Sequence, residues 1–201
     1  MKLCLTIALI ILSLAINAQN ATLAPGQKAP DFELMNVDNK LISLKNYPSA
    51  KGFILVFTCN TCPYSQAYEK RINDLNDKYA PQGFPVIAIN PNNAQASPGD
   101  SFGKMKEHAR SAKFTFPYLY DKEQSVTTMY GARNTPHVFL VNKTAEGNIV
   151  EYTGAIDNDT PNSSPEKKLF VEDALTALLK NEKPARTVTK AIGCTVKWKR
   201  S

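Results

Sequence analysis

The spacing of apolar residues changes several times along this chain, and each change marks an element. Gly52–Phe57 (GFILVF) is an unbroken apolar run, as expected of a central strand buried on both faces, and residues 85–89 (PVIAI) repeat that pattern. Between them, residues 64–79 place Ala67, Tyr68, Ile72, Leu75 and Tyr79 at helical spacing. Residues 29–34 and 40–44 read as two short extended pieces around a turn at Val37-Asp38-Asn39. A polar loop with Pro and Gly spans 90–103, long enough to suggest a functional rim, and Ser101 is placed to cap a helix running to Ala112. Residues 116–120 read as a strand and 124–130 as a short helix stopped by Gly131. Residues 138–141 and 149–153 form an antiparallel pair around Glu146-Gly147-Asn148, and residues 165–179 form a last amphipathic helix. Alternating strands and helices, closed by a hairpin and a helix, predict a three-layer α/β sandwich with a mixed central sheet.

The chain opens with Lys2, an apolar core over residues 5–16, and Ala18 before Gln19, the three parts of a secretory signal peptide. The core is shorter than the about twenty residues that a spanning helix needs, so no stable membrane insertion is expected after cleavage. Residues 1–18, with Cys4, are expected to leave. Residues 19–201 form one domain, with 181–201 as a C-terminal extension. The formal net charge is +6, but the basic residues are scattered apart from Lys197, Lys199 and Arg200, which argues against a nucleic-acid partner.

Cleavage leaves Cys59, Cys62 and Cys194. An odd count with two cysteines three apart favours working thiols over a static disulfide framework. Cys59-Asn60-Thr61-Cys62-Pro63 directly follows a buried strand and opens a helix. A helix N-terminus offers unpaired N–H groups that stabilise a thiolate, and a second cysteine one turn on can resolve a mixed disulfide. Cys59 is therefore expected to be the nucleophile, at the exposed helix start, and Cys62 the resolving thiol. A structural zinc needs four ligands, and only Cys194, His108 and His137 remain to complete one. Pro136 stands where a chain enters a strand, a position that often marks a tight or cis turn. His137 either faces solvent or faces the cysteines and tunes a thiolate.

Residues 27–32 (QKAPDF) through Ser43-Leu44 resemble the entrance of the peroxiredoxin and thiol-specific antioxidant (redoxin) branch of the thioredoxin-fold superfamily. The segments FTCNTCP, TMYGA, Thr135-Pro136 and the terminal IGCTVKWK look like the peroxiredoxin-like redoxins of bacteria. The resemblance implies a thioredoxin-like fold with an N-terminal β-hairpin and a cis proline at Pro136 beside Cys59 and Cys62. It makes Cys194 part of a tail motif, either a third redox thiol or a packed free cysteine. The departures are specific. The peroxidase pattern PxxxTxxC is missing: matched to Cys62 it finds Leu55 and Cys59 at its Pro and Thr, and matched to Cys59 it finds Gly52 and Val56. Thr58 stands where thioredoxins carry Trp. No Asp or Glu lies between Asp38 and Glu69, so the sequence assigns no proton acceptor to Cys62.

The leading expectation is an exported thiol-disulfide oxidoreductase, periplasmic or secreted in a bacterium, that needs no cofactor. Its partners would be a disulfide-bearing protein or small thiol substrate and a thiol electron donor, with Pro136 shaping the substrate edge. The alternatives are a thiol peroxidase using the same pair and a soft-metal carrier holding copper through Cys59, Cys62 and His137.

Overall fold

The computed structural model describes residues 21–200. The expected signal peptide and Cys4 lie outside them. The chain runs β1 (Leu34–Asn36), β2 (Leu41–Ile42), β3 (Gly52–Phe57), α1 (Pro63–Tyr79), β4 (Val86–Asn90), α2 (Phe102–Ser111), β5 (Tyr118–Tyr120), α3 (Ser125–Tyr130), β6 (Asn134–Thr135), β7 (His137–Thr144), β8 (Gly147–Gly154), α4 (Phe170–Leu179) and β9 (Cys194–Thr195). Seven strands form one mixed sheet in the order β2-β1-β5-β4-β3-β7-β8. β3, β4 and β5 are parallel and joined through α1 and α2, whereas β7 runs antiparallel to β3, with β8 antiparallel beyond it. The β1–β2 hairpin closes the other edge. This is the thioredoxin-like sandwich that the alternation of elements and the resemblance predicted.

The continuous apolar strands are explained by burial on both faces. Ile54, Val56, Val86, Ala88, Val138 and Leu140 point to one side, where Tyr68, Ile72 and Leu75 of α1, Met105 of α2 and Val171, Ala174 and Leu175 of α4 cover them. Phe53, Leu55, Phe57, Ile87, Ile89, Phe139 and Val141 point to the other, under Ala29, Phe32, Leu44 and the α3 residues Val126 and Tyr130. α1 begins sharply because Cys62 is its N-cap in extended conformation and Pro63 fills the first turn, where a missing N–H costs nothing.

Three elements differ from the pattern. The helix expected from residue 165 begins at Phe170. The preceding backbone is held by side chains instead: Ser164 N–H donates to Asp159 Oδ2 (2.6 Å) and Lys168 N–H to Asn158 Oδ1 (2.7 Å). The strand expected over 138–141 extends to Thr144, since only its buried part is continuously apolar. β6 and β9 pair with each other as a separate two-stranded sheet that brings the C-terminal extension back over the domain. Leu140 of β7 is fully buried under the helical layer. Leu140→Ala is expected to lower the unfolding free energy by about 3 kcal/mol in urea titration, and a loss under about 1 kcal/mol would contradict this packing.

Candidate active site

The cysteine loop grows out of β3. Thr58 N–H still bonds Ile89 O on β4 (2.9 Å), after which the chain turns through Cys59, Asn60 and Thr61 to Cys62. Cys62 is the N-cap of α1, so Cys59, expected at the helix start, lies outside the helix. Both thiols are reduced and buried, Cys59 3% and Cys62 2% exposed, so the expectation of an exposed Cys59 does not hold in this state.

Both sulfurs meet one residue. Cys59 Sγ is 3.2 Å from Thr135 Oγ1, and Cys62 Sγ is 3.1 Å from the Thr135 carbonyl oxygen. The Thr135–Pro136 peptide is cis, which sets Pro136 beside the pair. A carbonyl can only accept, so Cys62 is the donor in its contact and carries its proton there. The Cys59 thiol, the Cys194 thiol and the Ser65 backbone N–H act in the opposite sense, favouring a Cys62 thiolate. For Cys59, the hydrogen bond to Cys62, burial and the Asp100 carboxylate push the thiol up, while the Thr135 hydroxyl pulls it down. The protons therefore belong to the pair rather than to either cysteine.

Asp100 is a site residue that the sequence did not reveal. Fully buried, it accepts from Asn60 N–H (2.7 Å) and Thr61 Oγ1 (2.7 Å), the two residues between the cysteines. Ser97 Oγ (2.6 Å), Asn92 Nδ2 (2.9 Å) and Asn90 Nδ2 (3.3 Å) complete its neutral donors. Burial alone would raise this carboxyl, but the donors outweigh it and hold the pKa below the ordinary carboxylate value. Asn60 is fixed further by Tyr118 Oη, which donates to its Oδ1 (2.9 Å), and by its own bond to Gly99 O (2.8 Å). The 90–103 loop was legible as a rim, but its acid lies forty residues from the cysteines in sequence. Only the fold brings it under them.

The remaining expected residues separate. His137 shares the strand face of Phe139, whose ring lies 4.6 Å away, on the side of the sheet opposite α1. Its Nε2 bonds Thr153 Oγ1 (3.0 Å), its Nδ1 is buried without a hydrogen-bond partner, and burial pushes its pKa down to about 4. It is a neutral core histidine rather than a partner of the sulfurs. Among the described residues no cluster of three or more His, Cys, Asp or Glu is arranged to hold a metal ion, so the copper alternative lacks its ligand set. Cys194, half-buried, is brought to the site by β9, where it pairs with Thr135.

Residues 25–152 match the AhpC/TSA family, and the chain belongs to it. This is the redoxin branch that the sequence resembles. Relatives include the thiol-disulfide oxidoreductase ResA of Bacillus anthracis, 28% identical over 126 residues, which cover 63% of this chain and 67% of that one. An uncharacterised conserved protein of Geobacillus kaustophilus superposes with a TM-score of 0.81 at 34% identity, covering 88% of this chain and 93% of that chain. A hypothetical protein of Sinorhizobium meliloti also gives 0.81, at 29% identity over 90% and 98%.

Two outcomes follow from these environments. An unfolded histidine titrates near 6.5 and folded His137 near 4, so between those values the unfolded chain binds the additional proton. Stability of the wild type relative to His137→Phe is therefore expected to fall by up to about 3 kcal/mol as the pH drops from about 6.5 to about 4. Parallel pH dependence in both proteins would contradict a neutral buried imidazole. Asp100→Asn removes the negative charge that disfavours a thiolate at Cys59. It is expected to shift the potential of the pair by about 30 mV to less negative values in glutathione titration, whereas an unchanged potential would show that the carboxylate acts on geometry alone.

Proposed function

We propose that this protein is an exported thiol-disulfide oxidoreductase that reduces disulfides through Cys59 and Cys62. The observation that carries the reading is the shared anchorage of both sulfurs on Thr135, immediately before cis Pro136. The Thr135 hydroxyl can donate to a Cys59 thiolate, and the Thr135 carbonyl keeps Cys62 protonated until it is needed. Cys59 thiolate attacks one sulfur of a substrate disulfide, forming a mixed disulfide and releasing the first substrate thiolate. Cys62 then loses its proton and attacks Cys59 Sγ, releasing the second thiolate and leaving a Cys59–Cys62 disulfide. The substrate gains two electrons and the pair loses two, which a thiol donor returns.

Burial and the Asp100 carboxylate both work against a resting thiolate at Cys59, and a weakly stabilised thiolate belongs to a reductant rather than an oxidant. The thiol-disulfide oxidoreductase relative named above supports the activity, and the expected signal peptide supports export to the periplasm or beyond. A peroxidase would need the hydroxyl of the PxxxTxxC pattern, which this chain lacks in either alignment. The substrate is therefore taken to be a disulfide-bearing protein or small disulfide.

Insulin reduction driven by dithiothreitol tests the reading. The wild type is expected to accelerate it, Cys59→Ser to lose about 100-fold or more, and Cys62→Ser to accumulate insulin on Cys59 as a mixed disulfide. A trap on Cys62 in Cys59→Ser, with none on Cys59, would reverse the two roles. No acceleration by the wild type would remove the activity.

A further inference from the structure

The strand edge beside Pro136 is already occupied. β9 pairs antiparallel with β6, with Thr135 opposite Cys194 and Asn134 opposite Thr195. The approach is too close for any side chain at Gly193: a Cβ there would stand 2.1 Å from the Thr135 carbonyl oxygen and 3.0 Å from Pro136 N. Asn134 Nδ2 bonds Gly193 O (3.1 Å), and Val196 N–H bonds Arg133 O (2.9 Å). Further on, Asn93 N–H donates to Lys197 O (2.9 Å) and Lys197 N–H to Asn92 Oδ1 (2.8 Å). Asn92 is the same side chain that bonds Asp100. The tail is thus built into the polar network of the site and crosses it as an added strand, in the manner of a bound extended peptide. The substrate edge expected at Pro136 is covered by the chain's own Cys194.

That strand carries a cysteine at the residue opposite Thr135, and the Cys194 and Cys62 side chains interact there. Cys194 is only partly buried, whereas Cys59 and Cys62 are almost fully buried. Of the three sulfurs, Cys194 is therefore the one that a thiol donor reaches most readily from solvent.

Resting on the oxidoreductase reading, we propose that Cys194 is the thiol through which the oxidised pair is re-reduced. Cys194 thiolate attacks Cys62 Sγ of the Cys59–Cys62 disulfide, forming a Cys62–Cys194 disulfide and expelling Cys59 as thiolate, which takes up a proton. A donor thiolate then attacks Cys194 Sγ at the surface, releasing Cys62. A second donor thiolate attacks the donor sulfur of the resulting mixed disulfide, releasing Cys194 and a donor disulfide. Two electrons pass from two donor thiols to the pair, and every step exchanges one S–S bond for another. In the reduced protein, burial first and then the neighbouring Cys62 side chain hold Cys194 up at about 11. The Cys62 contribution to that shift vanishes once Cys62 is in a disulfide, so Cys194 becomes easier to ionise when the pair is oxidised. Intramolecular presentation on β9 supplies the effective concentration that a freely diffusing thiol lacks.

The test uses the mature chain and glutathione as the donor probe. Cys59→Ser, oxidised with diamide and blocked with N-ethylmaleimide, is expected to yield a Cys62–Cys194 disulfide in the peptide map. The oxidised Cys59–Cys62 pair of Cys194→Ser, and separately of Cys194→Ala, is expected to be re-reduced by glutathione about tenfold or more slowly than the wild type. Wild-type re-reduction rates in both Cys194 variants would overturn the relay, as would the absence of a Cys62–Cys194 disulfide in a folded Cys59→Ser. Either result leaves the oxidoreductase reading intact. Failure of the wild type to form a reversible Cys59–Cys62 disulfide would instead remove that reading, and the relay with it.

Discussion

Thr135 is the point on which this site depends. Its hydroxyl meets Cys59, its carbonyl meets Cys62, its backbone pairs with Cys194, and its peptide bond to Pro136 is cis. It is fully buried, at the end of β6, and only Pro136 separates it from β7. Three cysteines that are far apart or differently placed in sequence therefore share one rigid reference. A donor and an acceptor on the same residue treat the two sulfurs differently, which is the asymmetry that ordered thiol-disulfide exchange requires.

Beneath that point lies a second constraint of opposite character. Asp100 is an ionised group in the interior, stabilised entirely by neutral donors, two of which belong to the residues between the cysteines. A buried charge held in this way is costly to assemble and stiff once assembled, because leaving any donor unpaired carries its own desolvation cost. The same charge disfavours a second negative charge on Cys59. One carboxylate thus fixes the shape of the cysteine loop and, in the function proposed above, biases its chemistry toward giving electrons away. Thioredoxins place an acid on the strand before the cysteines. Here the acid arrives from the loop after β4, where no reading of the preceding strand could find it.

Much of the fold was legible because burial leaves a direct trace in composition. GFILVF and PVIAI read as central strands and the Tyr68, Ile72, Leu75 spacing as one face of a helix, and the structure has them so. Cys59 and Cys62 were legible for a similar reason, since strand, cysteine pair and helix occur in the order that the chemistry needs. What the sequence concealed depends on long-range meetings of short, polar segments. β6 and β9 are two residues each and carry no periodicity, so the return of the tail onto Thr135 had no local signal beyond Gly193 and Cys194. Orientation was equally hidden. His137 follows the cis proline directly, yet strand alternation turns it to the face of Phe139, where its ring bonds Thr153. The helix over 165–179 lost its first turn because Asn158 and Asp159 offer the backbone other partners, a competition that apolar spacing does not record.

The central claim is that Cys59 and Cys62 form a reversible couple within the range of catalytic dithiols, on its reducing side. Equilibration of the mature protein in glutathione buffers, followed by thiol trapping and peptide mapping, measures it most directly. A single two-electron transition of the Cys59–Cys62 disulfide is expected toward the negative end of the range from about −280 to about −120 mV. A pair that stays fully reduced across every buffer, or locks irreversibly into a disulfide, would contradict it.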